Sequence, residues 1–95
     1  YSTEVEDALY AHPDVAEAAV IGEPDPKWGE AVTAVVRLRD GASADALALI
    51  QHCRDRLAAY KAPKSVRFVE TMPKSAAGKI LKRELRPPAE EETSR

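Results

Sequence analysis

The chain has 95 residues, of which 44% are hydrophobic and 32% charged, with a formal net charge of -2. That is the size of one small domain with a thin stability margin, and no apolar run approaches the ~20 residues needed to span a bilayer. The single cysteine, Cys53, excludes an internal disulfide and fits a reducing compartment, so a cytoplasmic location is expected.

No signal-peptide pattern is visible, and the chain opens on Tyr1 rather than Met, directly into a helical pattern. A piece of a larger protein is expected. Aromatic residues make up only 5%, so the core must rest on Val, Ile, Leu and Ala.

Ser2 to Ala11 predicts a short helix. Thr3 and Glu6 have capping-box spacing, Val5, Ala8 and Leu9 share one face, and Pro13 prevents continuation. Val15 to Ile21, "VAEAAVI", predicts a strand. Gly22 to Glu30, "GEPDPKWGE", holds two prolines and two glycines and predicts a loop. Ala31 to Arg39 is the clearest strand: Val32, Ala34, Val36 and Leu38 face one way, and Thr33, Val35, Arg37 and Arg39 the other. The two strands should pair antiparallel.

"DGAS", residues 40 to 43, predicts a turn ending in a helix cap at Ser43. The helix should run to about Ala59, with Ala46, Leu49, Ile50, Cys53 and Leu57 as its buried stripe. Val66 to Val69 predicts a short third strand, and Pro73 to Lys79 a loop. Leu81 and Leu85 share one side of a last helical turn that Pro87 stops. Residues 87–95, "PPAEEETSR", predict a disordered tail. The expected fold is α+β in the order α-β-β-α-β, with a small three-stranded core sheet and helices packed on one face.

The stretch "PKSAAGKILKRELR", residues 73 to 86, is the chemically loaded one. Five of the chain's 14 Lys and Arg residues gather there, around a small centre, Ala76-Ala77-Gly78, directly before Lys79. Gly78 permits backbone conformations denied to other residues, and Pro73, Ile80 and Leu81 tether the loop. A lysine so held suits an anionic group such as phosphate or carboxylate. A Walker A loop is excluded: Pro73 replaces its first glycine, and Ile80 stands where Ser or Thr should bind magnesium. A nucleic-acid surface would need interleaved aromatics, which the patch lacks, so no nucleic-acid partner is expected. His12 and His52 have no metal-ligand spacing, and no metal site is expected.

The same stretch resembles the last core motif of the adenylate-forming enzyme superfamily, which holds acyl-CoA synthetases, peptide-synthetase adenylation domains and luciferases. Pro73, Lys74, Ser75, Gly78, Lys79, Ile80, Arg83, Leu85 and Arg86 carry the match. "YSTEVEDALYAHPDVAEAAVIGEPDPKWGEAVTAVV" resembles the family's segment after its hinge, and "LAAYKAPKSVRFVETMPKS" the stretch joining its last two motifs.

The resemblance implies that residues 1–86 form the mobile C-terminal domain of an AMP-forming acid-thiol ligase. A larger N-terminal adenylation domain of the same protein would be its partner. Such an enzyme uses ATP, Mg2+ and CoA, with no cofactor bound in this domain. The resemblance makes Lys79 the catalytic lysine of acyl-adenylate formation, with Ser75 and Gly78 supporting its loop. It also implies rotation about a hinge to a second orientation for thioester formation. Lys74, Lys82, Arg83 and Arg86 are expected to be structural or surface charges. By the same resemblance, Trp28 and Tyr60 would flank the CoA adenine and Lys64 would meet its phosphates. Some members carry an arginine where this chain has Ala62. The alternatives are a domain that loads a carrier protein and a non-catalytic anion-binding module.

Overall fold

A computed structural model describes residues 2–27 and 29–85. Helix α1 spans Ser2–Tyr10, strand β1 Val15–Asp25, strand β2 Gly29–Leu38, helix α2 Ala46–Arg56 and strand β3 Ser65–Phe68. Short 3-10 turns occupy Ala59–Lys61 and Lys82–Glu84. The order is α-β-β-α-β, as expected, and the sheet order is β1-β2-β3. β1 and β2 are antiparallel, while β3 runs parallel to β2 from Thr33↔Ser65 to Val36↔Phe68.

The two faces of β2 divide as the alternation predicts. Ala34 and Val36 join Val5, Leu9, Ala18, Val20, Leu49 and Cys53 in the core beneath α1 and α2. Val35 faces the other way, in a second cluster with Ala19, Ile21, Met72 and Leu85. The helices thus cover one face. The segment after β3 folds back over the other, with Val69 and Ile80 packed at its margin. The last leucine serves that second core, with Leu85 only 9% exposed after the 3-10 turn at Lys82–Glu84.

Several local expectations are corrected. The loop predicted for 22–30 is largely replaced by strand, because β1 runs on to Asp25 and β2 begins at Gly29. Pro24 is tolerated because β1 is an edge strand, where a missing N–H need not break the ladder. Gly29 closes the hairpin at φ +82, a region only glycine enters cheaply.

The cap of α2 is Asp45, not Ser43: the Asp45 carboxylate accepts the Ala48 N–H at 2.8 Å. The helix also ends earlier, at Arg56, where the Leu57 N–H closes on the Cys53 carbonyl. Leu49 and Cys53 are fully buried and Leu57 partly so, whereas Ala46 and Ile50 are only half-covered.

The Thr3–Glu6 capping box does not form. The Glu6 carboxylate instead accepts the backbone N–H of Val20 at 2.8 Å, satisfying a donor on the open edge of β1. His52 of α2 bridges the helices: its Nε2–H donates to the Ala8 carbonyl at 2.6 Å. The T-shaped packing of its ring against His12 completes that joint.

Candidate functional site

The basic stretch folds into a small closed loop on the second sheet face. Lys74 and Ile80 form an antiparallel bridge, and the Leu81 N–H donates to the Pro73 carbonyl at 2.9 Å. Inside that bridge, the Ser75 N–H donates to the Lys79 carbonyl at 2.8 Å and the Gly78 N–H to the Ser75 carbonyl at 2.9 Å. The Ser75 hydroxyl accepts the Lys79 N–H at 3.3 Å. Gly78 turns the chain at φ +86. Added bulk there would meet no neighbour, so the glycine is required by its conformation and not by crowding. Ser75 and Gly78 therefore lie in direct contact with the backbone of Lys79.

The cations of the stretch divide into two kinds. Lys74 pairs with Glu17, which Arg37 also meets at 2.9 Å. Lys82 pairs with Glu6 at 2.7 Å. Lys79, in contrast, is exposed and has no ion-pair partner among the described residues. One ammonium thus remains available on a loop whose flanking lysines are both committed. Arg86 lies outside the described residues.

Glu17 has a side chain only 14% exposed and two cationic partners. The hydrogen bond from Lys74, followed by that from Arg37, holds its carboxyl below the ordinary value of 4.5. The lowered folded-state value means that the pair contributes its full stability above the unfolded value. That contribution is lost as pH falls through the folded value. Glu17→Gln should therefore be less stable than the parent at pH 7, by about 1–2 kcal/mol. The difference should close as pH falls below 4.5. Urea denaturation of both chains across a pH series checks this, and a gap that persists in acid would contradict the pairing.

Tyr60 and Lys64 come together at another place. They line a pocket of about 330 Å³ whose walls include Ile50, Ala59, Ala62 and Pro63. Tyr60 is 71% exposed, as a stacking ring must be and a core tyrosine is not. Trp28 lies outside the described residues. Its neighbour Gly29 opens β2, and the Lys64 N–H bonds to the Val32 carbonyl at 2.9 Å, so both mark the same end of the sheet. The Lys79 loop is anchored at the opposite end, through Glu17. Val32 faces Gly22 across the ladder, and Glu17 and Gly22 are about 17 Å apart along β1 at ~3.4 Å per residue. Tyr60 with Lys64 and the Lys79 loop are thus tethered to opposite ends of one sheet.

Among the described residues, no three His, Cys, Asp or Glu side chains gather as a metal ion would need. Cys53 is fully buried, and burial pushes its thiol pKa up, which suits packing and not nucleophilic chemistry. No helix among the described residues is long and apolar enough to cross a membrane.

The carboxylates Glu6 and Glu17 were not among the sequence-predicted site residues. One signal pointed to Glu17: it is the lone charge in the otherwise apolar "VAEAAVI".

Known proteins match over most of the chain. The profile of the AMP-binding enzyme C-terminal domain family covers residues 4–79. The 2-succinylbenzoate–CoA ligase of Geobacillus kaustophilus is 50% identical over 86 residues, which is 90% of this chain and 18% of that ligase. The long-chain-fatty-acid–CoA ligase of Bacillus subtilis is 50% identical over 93 residues, or 98% of this chain and 16% of the relative. The crystal structure of ATP-bound MatB from Rhodopseudomonas palustris superposes with a TM-score of 0.86 at 41% identity, covering 90% of this chain and 17% of that one. The chain therefore corresponds to less than a fifth of each of these proteins, and it belongs to the AMP-binding enzyme C-terminal domain family.

Proposed function

We propose that this domain supplies the catalytic lysine, Lys79, of an ATP-dependent, AMP-forming acid-thiol ligase. The observation that carries the reading is that one ammonium of the loop has no ion-pair partner among the described residues. Lys79 stands on a hydrogen-bonded loop while the lysines on either side are held by Glu17 and Glu6. A carboxylate oxygen of the acid attacks the α-phosphorus of ATP, and pyrophosphate leaves. Negative charge shifts onto the attacked phosphoryl group as it does so, and a fixed ammonium there lowers the barrier. A thiol then attacks the acyl carbonyl, a thioester forms, and AMP leaves with the electron pair of the broken bond.

The large N-terminal adenylation domain of the same protein is the partner in this reading. It binds the acid, ATP and its magnesium, and no residue of this domain is assigned to the metal. CoA is the proposed thiol. Tyr60 offers a face to adenine and Lys64 a charge to phosphate, beside a pocket of suitable character. Trp28 is assigned the opposite adenine face. The separate anchoring of these residues and the Lys79 loop supports a domain that turns between two orientations, one for each half-reaction.

The test is made on the full-length protein with a panel of carboxylic acids. Acid-dependent exchange of pyrophosphate into ATP, followed by CoA thioester formation, is expected. Tyr60→Ala and Lys64→Ala should raise the KM for CoA by about tenfold and leave the exchange unchanged. Absence of acid-dependent exchange with every acid would overturn the reading.

A further inference from the structure

We propose that Glu17 is a positioning residue for Lys79, acting through Lys74. The inference rests on the catalytic reading of Lys79 given above and extends it to a residue in a different element.

The loop that carries Lys79 is closed by the Lys74↔Ile80 bridge, so the place of Lys74 sets the place of the loop. Lys74 reaches out of the loop to Glu17 on β1. Glu17 is in turn fixed by Arg37 on β2 at 2.9 Å, across the ladder pair Glu17↔Arg37. The chain of contacts therefore runs from the sheet, through one carboxylate, to the base of the loop. With its side chain 14% exposed, Glu17 is poorly screened by salt and holds its partners in a defined geometry. Thr71 and Met72 line the same site on the approach to the loop, and Met72 is buried in the second core.

Glu6 has a similar pair with Lys82 but a second duty. Its carboxylate also accepts the Val20 N–H, which ties α1 to the edge of the sheet. Removing it would disturb the fold as well as the loop. Among the described residues the Glu17 carboxylate bonds only to side-chain cations, so its loss is the cleaner probe. The charge also has a kinetic meaning. A misplacement on the order of 1 Å at a reacting group can cost a factor of about 100 in rate. The loop bears on adenylation alone, so a loosened loop should slow that half-reaction and spare the other.

The experiment compares the parent with Glu17→Gln and Lys74→Met in the full-length protein. Lys74→Met removes the loop's own partner and leaves Glu17 paired with Arg37, which guards against misfolding of the first variant. Two rates are measured: acid-dependent pyrophosphate exchange, and thioester formation from preformed acyl-adenylate and CoA. Both variants are expected to lower the maximal exchange rate about tenfold and to leave thioester formation within about twofold. Equal loss of both half-reactions would mean a purely structural role, and loss of neither would mean no role; either overturns the proposal. Lys79→Ala is run alongside. If it spares exchange, the catalytic reading itself fails. If it removes exchange while Glu17→Gln and Lys74→Met do not, only the positioning role fails.

Discussion

Lys79→Ala should lower the rate of acyl-adenylate formation by about 100- to 1000-fold, the usual loss when one preorganised charge is taken from a transition state. The stability of the domain should hardly move. Lys79 is exposed and has no ion-pair partner among the described residues, so its side chain leaves no unpaired charge behind. Surface changes of this kind stay within about 0.5 kcal/mol. Lys79→Arg should recover little. Its guanidinium is broad and planar where the ammonium is compact, and a closed site discriminates between them. The measurement is pyrophosphate exchange in the full-length protein beside urea denaturation of the same variants. Unchanged exchange would leave the loop without a catalytic role. Lost exchange together with a large loss of stability would move the cause from charge to fold.

The fold was legible wherever one face of an element is buried. Val5, Ala8 and Leu9 mark the inner side of α1, and the alternation from Val32 to Leu38 divides β2 between two cores. It was least legible where local chemistry offered two answers. Gly22 and Pro24 are loop residues by propensity, yet the ladder from Val15 to Asp25 carries them as an edge strand. Ser43 and Asp45 are both competent caps, and only the position of the first helical turn chooses between them. The parallel pairing of β3 depends on the path of α2 across the sheet, which no local pattern encodes.

For the site, the motif stretch and its central glycine were visible in sequence, and the loop closes around them as the residue types suggest. The division of labour among its cations was not visible. Lys74 and Lys79 are equally basic on paper. They differ because Lys74 meets Glu17 and Lys79 meets no carboxylate among the described residues, and that contrast is created by folding the segment after β3 across the sheet. The clustering of Tyr60 with Lys64 likewise follows from the 3-10 turn at Ala59–Lys61, which local spacing did not announce.

Leu49→Ala should cost about 3–5 kcal/mol, the largest stability loss expected of one truncation here. Leu49 is fully buried on α2, in the cluster that joins α2 to Leu9 on α1 and to Ala34 and Val36 on β2. The cavity would open where three elements meet and little bulk stands ready to collapse into it. Alanines supply much of the neighbourhood, and among the described residues no Phe, Trp or Tyr belongs to the cluster. A domain of this length holds only about 5–14 kcal/mol in total, so roughly a fifth or more of its stability rests on that side chain. Leu47 provides the control: it lies on the same helix but is 76% exposed, and Leu47→Ala should fall within about 0.5 kcal/mol of the parent. The check is the urea midpoint of both variants. The thermal midpoint of Leu49→Ala should also drop by more than about 10 °C, given ~4–8 °C per kcal/mol for a domain this small. Similar losses at the two leucines would contradict the placement of α2. A large loss at Leu49 alone would show that the helix stands against the sheet on the face described, which leaves the opposite face to the Lys79 loop.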